Sequence, residues 1–136
     1  MSSSYIDKAE LLEQTPHAEE PALSYGNTNV RSDAMMGLLH STAQRVMPKG
    51  SRVLLYGSRA RGCATPESDW DLLLLLDKPS IETDDFANFA YPFVLSGWEH
   101  GQDVSPQMYT YEDWQRMHIT PYYHNVERDK VLIYES

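Results

Sequence analysis

Residues 51–77 read SRVLLYGSRARGCATPESDWDLLLLLD, and the folding of this stretch decides how the rest of the chain is arranged. SRVLLYG, residues 51–57, is rich in apolar and β-branched side chains and stops at a glycine, which predicts a β-strand. WDLLLLLD, residues 70–77, predicts a second strand closed by Lys78 and Pro79. Both strands are apolar along most of their length, which implies cover on both faces. Between them, Gly57 and Ser58 open a turn suited to an anion. Glycine places no side chain in the way, and the first N–H groups of a helical turn have no internal partner. Arg59 or Arg61 can add a planar fork of donors that matches phosphate oxygens.

Asp69 and Asp71 follow, one residue apart. Side chains alternate along a strand, so both carboxylates project from one face. They repel each other unless a cation sits between them. Magnesium suits such a place, because it takes a few carboxylate ligands and completes its shell with phosphate oxygens. Asp69 alone would pass for a turn residue. Asp71 stands at the head of five leucines, where an unpaired charge is costly to bury, so it carries most of the argument. Trp70, between the two, points to the opposite face and is expected to pack.

Working outward, residues 5–14 predict a short helix. Residues 16–32, with two prolines, a glycine and two asparagines, predict an irregular arm. This divides the chain into an N-terminal extension, 1–30, and a domain, 31–136. A helix capped by Asp33 places Met35, Leu39, Ala43 and Val46 on one face and ends at Pro48 and Gly50. A second helix from Thr83 to Trp98 starts with Asp84 and Asp85. It presents Phe86, Phe89, Phe93 and Val94, with a kink or break at Pro92. QDVSPQMYTY, 102–111, predicts a third strand in which Pro106 marks an edge or a bulge. Thr110 and Asp113 start a helix through WQRMH, PYYHNVER forms another, and KVLIYE the final strand. The order predicts an α+β (α/β) single domain with a small mixed β-sheet flanked by helices.

The 136 residues suffice for one core, and 20 acidic against 11 basic residues (net charge −9) weigh against a nucleic-acid surface. Cys63 is the sole cysteine, so no internal disulfide forms, as expected in a reducing cytosol. The polar start MSSSYIDKAELLEQT lacks the apolar centre of a signal peptide, and the leucine run at 72–76 is far short of the ~20 residues of a membrane span. A cytoplasmic protein is expected. Histidines 17, 40, 100, 118 and 124 show no repeated metal-ligand spacing.

Gly-Ser, ten residues, then Asp, any residue, Asp is a pattern that resembles the DNA polymerase β-like nucleotidyltransferases. LYGSRARGCATPESDWDLLLLL looks like the minimal, single-domain (MNT) branch of that superfamily. The resemblance implies that Gly57 and Ser58 hold a nucleoside triphosphate and that Arg61, just before Gly62, contacts it. It implies that Asp69 and Asp71 bind two magnesium ions. A third acid on a neighbouring strand would bind one ion and help deprotonate an acceptor hydroxyl; Asp103 in GQDVSPQMY is the best placed, ahead of Glu99. The implied reaction moves NMP, with ATP as the expected donor, and releases pyrophosphate. In the minimal branch the acceptor is often a helical HEPN-type toxin, which would make this chain an antitoxin. The alternative is a binding module that neutralises a helical partner by occlusion, with little or no transfer.

Overall fold

The structure, a computed structural model, describes residues 26–136, with side chains from residue 33 onward. The short helix expected at 5–14 and residues 16–25 of the arm lie outside the described residues. Helix α1 spans Gly26–Val46, so it starts well ahead of Asp33, and the last part of the expected arm is helical. No proline lies between Gly26 and Val46, and the weak propensities of Asn, Thr and Ser cost only some tenths of a kcal/mol each, about 0.7 at most. Met35, Met36, Leu39 and Ala43 of α1, with Met47 beyond it, form its buried face. Thr42 is buried among them, and its hydroxyl donates to the Leu38 carbonyl at 2.9 Å.

Strand β1, Arg52–Tyr56, runs into the short helix α2, Ser58–Arg61; strand β2 is Trp70–Leu76. A wide π-helical turn, Phe86–Ala90, leads into α3, Tyr91–Glu99. Pro92 therefore sits in the first turn of α3, where its missing N–H breaks no bond. The π turn also changes which residues face inward: Phe93 is fully buried, while Phe86, expected on the same face, is 47% exposed. Asp85, expected at the start of the helix, precedes the π turn and is buried. It accepts from Lys78 Nζ at 2.8 and 3.0 Å and from the Glu82 N–H at 2.7 Å, which satisfies its charge.

Strand β3, Val104–Thr110, is followed by α4, Tyr111–Arg116, α5, Pro121–Asp129, and strand β4, Val131–Glu135. Thr110 and Thr120 cap α4 and α5: their hydroxyls accept from the Asp113 and Tyr123 N–H groups at 3.0 and 3.1 Å. The sheet order is β3-β2-β1-β4; β1 is antiparallel to β2 and β4, and β2 is parallel to β3. This is the expected mixed sheet, and Pro106 is accommodated because β3 is an edge strand.

The leucine run divides between two cores. Leu72, Leu74 and Leu76 pack with Leu39, Ala43 and Phe93 under α1 and α3. Leu73 and Leu75 pack with Leu54, Trp114, Val126 and Leu132 under α4 and α5. All five leucines are at most 4% exposed. Burying a leucine side chain contributes about 1.5–3 kcal/mol, so β2 is the most strongly held element and gives a rigid base for whatever projects from its first residues.

Candidate active site

The turn after β1 and the start of β2 lie side by side, because Tyr56 pairs with Asp71 across the antiparallel ladder. Gly57 adopts φ +79°, a conformation that glycine takes at little cost. A Cβ added at Gly57 would also collide with Asp71 Oδ2, so the absence of a side chain is what lets the carboxylate approach the turn. Ala60 and Arg61 N–H groups both donate to the Gly57 carbonyl at 3.0 Å. The N–H groups of Ser58 and Arg59 precede these bonds and have no partner inside the turn. Gly62, at φ +80°, closes α2.

Asp71 is half-buried between Tyr56 on β1 and Ser105 on β3. Burial, then the neighbouring charge of Asp69, pushes the Asp71 carboxyl above the ordinary carboxylate range, while Arg61 pulls it down. Asp69 is exposed and accepts from the Ser105 hydroxyl at 3.3 Å. Asp69, Asp71 and Ser105 thus share one sheet face, and the first two form a strained like-charge pair at its edge. Hard carboxylate oxygens held this way fit a cation of the magnesium type.

Asp103 is exposed and stands one residue before β3, and its carbonyl accepts from the Trp70 N–H at 2.9 Å. The parallel register Trp70–Val104 sets Asp103 level with Asp69 at the same end of the sheet. Among the described residues, however, no three His, Cys, Asp or Glu side chains come together closely enough to hold one ion. The structure brings Asp69 and Asp71 together and leaves Asp103 beside them. Glu99, ranked behind Asp103, is the last residue of α3.

The two arginines of the turn do different work. Arg59 lies 4.5 Å from the centre of the Trp70 ring and donates to the Ser68 and Pro66 carbonyls at 3.0 and 3.3 Å, bracing the loop ahead of Asp69. Trp70 is buried, as its alternation required, and donates to Gln102 Oε1 at 3.0 Å. Arg61 is exposed and pairs with Asp129 at the end of α5, 2.8 Å away.

Sequence reasoning missed Ser105, Tyr56 and Asp129. Register would have found the first two once β2 was paired. No local signal marks Asp129, which lies 68 positions from Arg61. Tyr56 and Tyr122 share a hydroxyl–hydroxyl hydrogen bond of 2.9 Å beside Asp71, and burial raises both phenols above their ordinary range. Tyr122 and Tyr123 pack against Trp114 rather than lying open for stacking.

The family model described as nucleotidyltransferase domain matches residues 38–128, more than half of the chain. Among solved structures, the fold is similar to a proposed nucleotidyltransferase from Sulfolobus solfataricus, with TM-score 0.53 and 22% identity over 76% of this chain and 83% of that one. It is also similar to a toxin–antitoxin structure with AMP-PNP, with TM-score 0.51 and 12% identity over 74% of this chain and 73% of that one. At these identities the two likenesses speak for the fold. No curated protein sequence matches the chain.

Proposed function

The chain belongs to the nucleotidyltransferase domain family, and from that premise we propose that it transfers NMP, with ATP as donor, onto a hydroxyl of a partner protein. The observation that carries the reading is the Asp69–Asp71 pair set against the Gly57–Ser58 turn. Divalent ions, two of magnesium in this reading, would supply charge neutralisation of the triphosphate and activation of the attacking hydroxyl.

The protein's own groups have distinct tasks. Gly57 and Ser58 receive the triphosphate on free backbone N–H groups and a hydroxyl, and Arg61 adds a guanidinium. Asp69 and Asp71 would hold the cations, whose charge would offset that of the triphosphate. Ser105 tethers the Asp69 carboxylate through its hydroxyl, 3.3 Å away. Asp103, level with Asp69, takes the acceptor's proton once the acceptor and donor fill the space between them. Tyr56 and Tyr122 wall the Asp71 side and exclude water there.

A protein acceptor is favoured because the described domain leaves an aromatic stripe uncovered: Phe86, Tyr91, Leu95 and Trp98 are 40–56% exposed on the π turn and α3. Such a stripe fits a protein partner. The toxin–antitoxin likeness fits the partner being a helical toxin of the HEPN type, with this chain as a cytoplasmic antitoxin. The same stripe also suits the second reading, neutralisation by occlusion. Among the described residues no helix is long and apolar enough to cross a membrane.

Incubation with α-labelled ATP and magnesium, alone and with the protein encoded beside it, separates the readings. Transfer predicts label on the partner that disappears in an Asp69→Asn, Asp71→Asn double variant. Binding of the partner without label in any combination supports occlusion and ends the transfer reading.

A further inference from the structure

We propose that Asp129 is a carboxylate latch: it holds Arg61 of the phosphate turn against the end of α5 and competes with the triphosphate for that guanidinium. The inference rests on the reading of Arg61 as a triphosphate contact. Arg61 Nη1 donates to Asp129 Oδ2 at 2.8 Å, and the Arg61 side chain is 45% exposed whereas that of Asp129 is 5% exposed. The carboxylate is enclosed by a second guanidinium as well. Arg128 Nε donates to Oδ1 at 2.9 Å and Arg128 Nη2 to Oδ2 at 3.3 Å. Two guanidinium groups on one pair of oxygens is the arrangement with which arginines grip a phosphate. Asp129 therefore occupies, from within the chain, the kind of place that a phosphate oxygen would take.

Three features make this contact a latch rather than a strut. The last turn of α5 has other anchors: Val126 is fully buried, and Glu127 accepts from Trp114 Nε1 at 2.8 Å and from Lys130 Nζ at 2.6 Å. Release does not strand a charge, because Asp129 keeps Arg128 when Arg61 leaves. Arg61 is open to solvent, so exchanging a carboxylate for a triphosphate costs little, and the more highly charged anion wins the exchange. Arg61 is also near enough to Asp71 to lower its proton affinity, so the freed guanidinium moves within the field of the carboxylate pair. Asp129 acts only through Arg61 and is a positioning residue.

Inorganic triphosphate and ATP, titrated without metal into the full chain by calorimetry, test the latch. Asp129→Asn should bind inorganic triphosphate about fivefold more tightly than the unaltered protein, the scale of an exposed pair, and Asp129→Glu should restore the original affinity. In an Arg61→Ala background the Asp129→Asn change should bring no gain, which a merely structural effect would not reproduce. In the transfer assay, KM for ATP should fall while kcat does not rise. Unchanged or weaker binding by Asp129→Asn, a gain that persists without Arg61, or failure of every protein to bind the anion would overturn the latch. If the Arg61-dependent gain appears but no protein ever transfers label, the latch stands and the transfer reading falls. If label is transferred and no gain appears, the latch falls and the transfer reading stands.

Discussion

Strand β2 meets a glycine turn at each end, and in both a carboxylate presses on the glycine. At one end Gly57, φ +79°, faces Asp71; at the other Gly50, φ +85°, faces Asp77, where an added Cβ would lie 3.0 Å from Oδ2. The backbones are alike, but the charges differ. Around Gly50 opposite charges are paired, although Glu135 Oε1 is buried without a hydrogen-bond partner among the described residues. The Gly50 carbonyl accepts from the Tyr111 hydroxyl at 2.8 Å, and Arg52 and Glu135 form an ion pair at 2.9 Å nearby on the paired strands β1 and β4. Around Gly57, Asp71 is half-buried beside Asp69, its carboxyl raised by burial and by that like charge, and the first N–H groups of α2 have no acceptor within the helical turn itself. A glycine–aspartate contact is thus a structural device at one end. At the other it leaves an unbalanced field that a cation and an anionic ligand together would neutralise.

The sharpest way to separate the ends is to add one methyl group at each. Gly57→Ala forces φ strain and drives Asp71 aside; transfer should fall by at least about 100-fold, as expected for ~1 Å of displacement, and stability by roughly 2–4 kcal/mol. Activity and thermal unfolding on the same sample check it. Gly50→Ala carries similar φ strain, about 1–2 kcal/mol, and crowds Asp77 Oδ2 and Cβ, but Asp77 is exposed and lies at the opposite end of β2 from the site, so transfer should persist. Equal losses of transfer in the two variants would erase the distinction.

A smaller effect runs the other way. The folded-state pKa of Asp71 lies above its unfolded value, so its ionised form opposes folding. Stability is lost as pH rises through that range and recovered as pH falls and the group protonates. Asp71→Asn should therefore melt slightly above the unaltered protein at neutral pH. The gap should close as the pH is lowered through the raised Asp71 value. Magnesium should raise the melting point of the unaltered protein and leave the variant unmoved. Melting curves across pH, with and without the ion, decide this.

Much of the architecture was legible in local text. The leucine run with its flanking Gly57 and Pro79, and Thr110 with Asp113 ahead of WQRMH, each carry their own start and stop signals, whereas the Thr120 cap of α5 emerged only in the structure. Three other features were not legible. The reach of α1 back to Gly26 depends on the absence of a breaker rather than on any positive signal. The outward turn of Phe86 depends on a π-helical turn that shifts the apolar face. Burial of Asp85 depends on Lys78 reaching it. In the site, alternation is a local rule, and it put Asp69 and Asp71 on one face, where Ser105 opposite Asp71 in the register donates to Asp69. Asp103 depends on the parallel pairing of β2 with β3, and Asp129 on the packing of α5, so spacing alone could rank the first and could not find the second.

The transfer reading depends on Asp69 and Asp71 being cation ligands next to the turn. Manganese binding, followed by electron paramagnetic resonance in the presence of a non-hydrolysable ATP analogue, is the plainest check of that. Asp71→Asn should abolish the bound-ion signal, while Asp77→Asn, at the other end of the same strand, should keep it. Retention of the signal in Asp71→Asn, or its equal loss in Asp77→Asn, would refute the assignment.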